Sequence, residues 1–144
     1  MDTLTTPYYM EAEVNSPMAH LAPGQVYTFD THWFPCRMGT NFRTTVDAGV
    51  IGNPLEAVRN GDNIELTGQF GVFYPGHLQA RVYGQDGAER QINLQSVSPR
   101  DLINLDTTLQ GAGVRLISVH LIDNHGVDRG ALGEVSITGK NGAL

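Results

Sequence analysis

Alternation with a period of two leaves this chain few folds to choose from. Residues 63–74, NIELTGQFGVFY, set Ile64, Leu66, Phe70 and Val72 against Glu65, Thr67, Gln69 and Phe73. An extended strand turns successive side chains to opposite faces, so the pattern suits a sheet with one buried face and does not suit a helix. HLQARVY opposes Leu78, Ala80 and Val82 to His77, Gln79, Arg81 and Tyr83. VRLISVHLI opposes Ile117, Val119 and Leu121 to Leu116, Ser118, His120 and Ile122. QVYTFDTHWF alternates too, with Tyr27, Phe29 and Trp33 on one side and Asp30 and His32 on the other. RQINLQSV, LINLDTTL and LGEVSIT follow the same rule, burying Ile92 and Leu94, Ile103, Leu105 and Leu109, and Val135 and Ile137.

Glycine (17 residues) and proline (7) stand between these segments and leave little room for a long helix. Pro23-Gly24, Asn60-Gly61-Asp62 and Pro75-Gly76 read as turns, and Gln85-Asp86-Gly87 and Asn124-His125-Gly126 as hairpins. Strands at this spacing predict an all-β antiparallel β-sandwich of about eight strands, immunoglobulin-like or jelly-roll, with a closed β-barrel as the alternative. The Cys…Trp…Cys framework of true immunoglobulin domains is absent. The one helix candidate, Pro99 to Leu105 with Ser98 as N-cap, reads better as a strand or a short turn leading into one. The expected organisation is an N-terminal arm over 1–22, the sandwich over 23–139 and a flexible tail over 140–144. RVYGQDGAER (Arg81 to Arg90) and HLIDNHGVDR (His120 to Arg129) echo each other at an offset of 39, as two hairpins each with an acid–Arg pair past the turn.

A chain of 144 residues fits one domain that needs no disulfide or metal to fold. The single cysteine, Cys36, excludes an internal disulfide and any cysteine-based zinc cluster. Net charge is −6 and the eight arginines and one lysine are scattered, which argues against binding to nucleic acid or to an anionic membrane surface. No apolar run is long enough to span a bilayer, and the first residues lack the features of a signal peptide. A cytoplasmic location is the default expectation. A mature secreted domain would read the same.

On one strand Asp30 and His32 share a face, roughly 7 Å apart at the strand rise. If all strands pack through their apolar sides, that face also gathers Glu65, Gln69, His77, Gln79, Arg81, Ser118, His120 and Glu134. Histidine with carboxylate can hold zinc or iron, and a buried His–Asp pair makes a competent base near neutral pH. The close His-x-His spacing of metal-bearing jelly rolls is missing, so no metal and no cofactor is expected. A wet face is also what any antiparallel sheet presents to solvent. Cys36, beside Arg37, has the neighbour that activates a thiol, although free cysteines usually just pack. DNHGVDRG (Asp123 to Gly130) spaces oxygens like a calcium loop but lacks the distal Glu, and reads as a hairpin turn.

Phe73, His77, Gln79, Arg81 and Tyr83 come from two adjacent strands and, with His120, form the best ligand platform in the chain. Aromatic and Arg residues also favour protein interfaces. The leading expectation is therefore a non-catalytic binding or assembly module. It would be an accessory subunit or a small-ligand or carbohydrate-binding sandwich, with a protein partner or a second copy of itself. The alternative is a small jelly-roll or barrel enzyme (an isomerase, cyclase or lyase) using Asp30, His32, His77 and His120 as acids, bases or metal ligands. A structural subunit of a shell or fibre is a third reading.

Overall fold

The computed structural model describes residues 11–137. The chain divides into two compact units, Met1–Trp33 and Phe34–Leu144. The second holds eight strands in two four-stranded antiparallel sheets packed as a sandwich. The strands are β1 (Thr44–Val46), β2 (Gly49–Asn60), β3 (Asn63–Val72), β4 (Gly76–Gly84), β5 (Glu89–Val97), β6 (Ile103–Gln110), β7 (Val114–Asp123) and β8 (Asp128–Ser136). One sheet runs β1-β2-β3-β6 and the other β5-β4-β7-β8. β2–β3, β4–β5 and β7–β8 are hairpins, while the chain changes sheet between β3 and β4, β5 and β6, and β6 and β7. The sheets do not close into a barrel.

The alternation decides what lies between the sheets. Ile64, Leu66, Phe70 and Val72 of β3 are fully buried, as are Leu78 and Ala80 of β4 and Ile117, Val119 and Leu121 of β7. Ile103, Leu105 and Leu109 add the edge strand β6 to the same core. Ile92, Leu94, Val135 and Ile137 pack against it half-buried, because β5 and β8 are edges too. The turn residues do the work their types allow. Gly61 opens the two-residue β2–β3 turn at φ 60°, as a II′ turn requires of its first central position. In the β7–β8 turn Gly126 takes φ 78°.

Two expectations are corrected. Residues 26–33 form no strand, and Val26, Tyr27, Phe29 and Trp33 remain exposed rather than anchoring a core face. Alternation alone gives a segment no ladder of hydrogen bonds, and a strand without a paired neighbour is not stable. Pro23-Gly24 does turn the chain, with the Gln25 N–H donating to the Ala22 C=O at 3.0 Å. The strands that complete the first sheet, β1 and β2, come instead from 44–60, where Pro54 and two register shifts on either side of Asn53 hide the alternation. The closed barrel is excluded by the two separate sheets. Pro99 to Leu105 is, as expected, a short turn leading into a strand, β6, the turn tied by the Asp101 N–H to the Ser98 C=O at 3.0 Å. The tail over 140–144 lies outside the described residues.

Candidate functional site

The outer face of the β5-β4-β7-β8 sheet carries most of the side chains that alternation assigned to it. Register sets Gln79 of β4 opposite Asn93 of β5 and His120 of β7, and Arg81 opposite Gln91 and Ser118. Ser118 in turn faces Glu134 of β8. Tyr83 stands two residues along β4 from Arg81, opposite Glu89 and Leu116. His77 lies opposite Ile122, diagonal to His120, a separation of about 7–8 Å for such neighbours. Gln79 Nε2 donates to Asn93 Oδ1 at 3.1 Å.

Asp128, at the start of β8, ties this face together; the sequence marked it only as the acid of the acid–Arg pair past the β7–β8 turn, whereas the structure pairs it with Arg81 and His120 and gives Arg129 to Asp123. Its carboxylate pairs with Arg81 at 2.5 Å and meets His120 Nδ1 at 3.1 Å through both oxygens. The Gly130 N–H donates to Oδ1 at 2.8 Å. Desolvation pushes the Asp128 carboxyl upward, but the Gly130 N–H, His120 and Arg81 together outweigh it and hold it below the usual carboxylate range. The echo between the two hairpins explains the cluster. Arg81 and His120 occupy equivalent places in it, their strands are neighbours, and one carboxylate serves both. The Arg81 Nε–H is buried and has no partner among the described residues.

A second acid shapes the β7–β8 turn. Asp123 Oδ1 accepts the N–H groups of His125 (2.8 Å) and Val127 (2.9 Å), and Oδ2 accepts Arg129 Nε at 2.8 Å. The Val127 N–H is the largest influence, and with Arg129 and the His125 N–H it overcomes desolvation, so Asp123 is also held low. Every oxygen of that carboxylate is engaged by the hairpin itself, as expected of a turn rather than a calcium loop. Arg129 continues over the Tyr74 ring at 4.2 Å from its centroid, and Phe34 packs on Phe73 and Tyr74 with centroids 5.2 and 5.7 Å apart. Phe73 thus joins an aromatic cluster at the crossing between sheets, whereas Tyr83 stays on the Arg81 face.

No family model, curated protein or solved structure matches this chain. Glu65 and Gln69 leave the predicted set, because β3 belongs to the other sheet and its outward residues emerge on the opposite side of the sandwich. Asp30 and His32 lie in the Met1–Trp33 unit, outside any strand. Among the described residues no group of three or more His, Cys, Asp or Glu is arranged to hold a metal ion. Cys36 is half-buried, and burial pushes its thiol pKa up, which keeps it protonated and slow to react as a nucleophile.

Proposed function

We propose that this chain is a non-catalytic binding or assembly module, in a sandwich of immunoglobulin-like or jelly-roll type. It acts through the outer face of the β5-β4-β7-β8 sheet toward a protein partner or a second copy of itself. The observation that carries the reading is the Arg81–Asp128–His120 cluster on an open sheet face, with Gln79 and Tyr83 beside it. Such a face offers a guanidinium pre-oriented by a carboxylate, and an aromatic ring, and Arg and aromatic residues are the ones enriched at protein interfaces. The second reading, an acid–base enzyme, rests on one contact: a carboxylate on the Nδ1 side of a histidine is how general bases are oriented, and Asp128 stands there beside His120.

Light scattering across a range of protein concentrations, together with affinity capture on the immobilised protein, tests the proposal. A second copy or a protein partner is expected to bind the parent chain and to be lost in the R81A/Y83A variant. A strict monomer that captures nothing, or binding indifferent to that double substitution, would sink it. A turnover abolished by His120→Ala would favour the enzyme.

A further inference from the structure

The opposite face of the sandwich, on the β1-β2-β3-β6 sheet, carries a second and chemically different surface. Register lines Asn53 of β2, Gln69 of β3 and Asn104 of β6 in one row across three strands, about 10 Å from end to end at the usual strand spacing. Asn41 extends the row, its Nδ2 donating to Asn53 Oδ1 at 3.0 Å, and Gln69 Nε2 donates to Asn104 Oδ1 at 2.9 Å. The next row along the strands is Glu56, Thr67 and Asp106. Together these rows, with Arg43, line an open groove of about 470 Å³. Phe42 stands 62 % exposed beside its continuation past Asn41.

Two features distinguish this row from an ordinary wet sheet face. The first is the slot around Gln69. A Cβ at Gly39 would stand 2.6 Å from Gln69 Oε1 and one at Gly52 3.1 Å from it, so the carboxamide lies in space that two missing side chains leave. The second is the pair of register shifts in β2, one on each side of Asn53. Bulges re-aim side chains, and here they set Asn53 level with Gln69 and Glu56 level with Thr67. The result is a fixed amide row in which each hydrogen-bonded pair uses one donor and one acceptor. The carbonyl oxygen of Asn41 and the NH₂ groups of Asn53 and Asn104 take no part in these two bonds and are the groups offered to a ligand, while the Gln69 oxygen lies in the slot beside Gly39 and Gly52.

We propose that this amide row is a binding site for a neutral oligosaccharide. A sugar's hydroxyl groups each donate and accept, and adjacent hydroxyls match an amide donor set beside a carboxylate acceptor. The groove supplies both, in the amide row and in Glu56 and Asp106 on either side of Thr67. Its charge balance, one Arg against two carboxylates, does not suit an anionic ligand. Phe42 gives the row an apolar face at one end on which a sugar ring can stack.

The test is a ¹H–¹⁵N NMR titration of the full chain with cellohexaose, xylohexaose and maltohexaose. At least one of the three is expected to shift the side-chain NH₂ signals of Asn53, Gln69 and Asn104. N104A and D106N, both at exposed positions, are each expected to weaken that binding at least tenfold, while S96A, at an exposed position of β5 in the other sheet, leaves it unchanged. The proposal is overturned if none of the three sugars shifts those signals at millimolar concentration, or if the binding survives both N104A and D106N. It is equally overturned if a charged sugar or a divalent cation alone produces the shifts.

Discussion

Two aspartates show how single residues tie this structure to pH. Asp123 and Asp128 both have carboxyl groups held below their ordinary range in the folded chain. A depressed folded pKa means that the unfolded chain binds the proton first, so the stabilisation is complete above the unfolded value and is lost as pH falls through the folded one. The melting temperature is therefore expected to be flat through mildly acid pH and to fall below about pH 4. Asp123→Asn keeps an oxygen for the two backbone N–H groups but gives up the charge facing Arg129. Calorimetry should show it melting lower than the parent at neutral pH, with a shallower acid limb. The Asp128 ion pair with Arg81 is partly exposed, at 34 % and 25 % of the side chains, so it adds less than about 1 kcal/mol. Its weight is in the geometry of the face rather than in stability. Asp128 was not legible as a hub beforehand, because Arg81 reaches it from a strand 47 positions away, whereas Asp123 takes Arg129 from six positions on in its own hairpin.

Among the strands, β3 carries the densest constraint. Its inward series runs Ile64, Leu66, Gly68, Phe70 and Val72, and the break at Gly68 has a steric cause. A Cβ there would stand 2.5 Å from Cζ of the Phe70 ring, which is fully buried. Gly68→Ala is expected to destabilise by about 1–3 kcal/mol through overpacking. In a Phe70→Leu background the same change should cost less, because the smaller side chain vacates the space. Urea denaturation of the four chains measures this coupling, and simple additivity would refute the steric account. Strands β3 to β8 were readable from alternation because each turns a mainly apolar face to the core. β2 was not readable, since its bulges shift the alternation midway and Pro54 looks like a breaker. The segment 26–33 made the opposite error, alternating without a strand to pair with. The hairpin echo was visible as two similar turns, but only β4–β7 pairing shows that its equivalent residues Arg81 and His120 share one acid.

At the scale of the whole molecule, among the described residues the hydrophobic core lies between Val46 and Ile137. A chain beginning at Phe34 is therefore expected to keep its β-type circular dichroism and a single cooperative unfolding transition. Loss of either would show that the first 33 residues complete the core. The sequence by itself determined the class of fold, the hairpin turns and the inward residues of six strands (β3 to β8), because alternation and turn chemistry are local and are written in adjacent positions. Only the tertiary structure decided which polar residues meet. The outward residues form one polar set on paper, yet the sandwich has two outer faces. Assignment of β3 to one sheet and of β4 and β7 to the other sends Gln69 to an amide row and Arg81 and His120 to a charged cluster. That division depends on where the chain crosses between sheets and on strand order, which are settled by the global packing of the apolar faces and leave no mark in the local pattern.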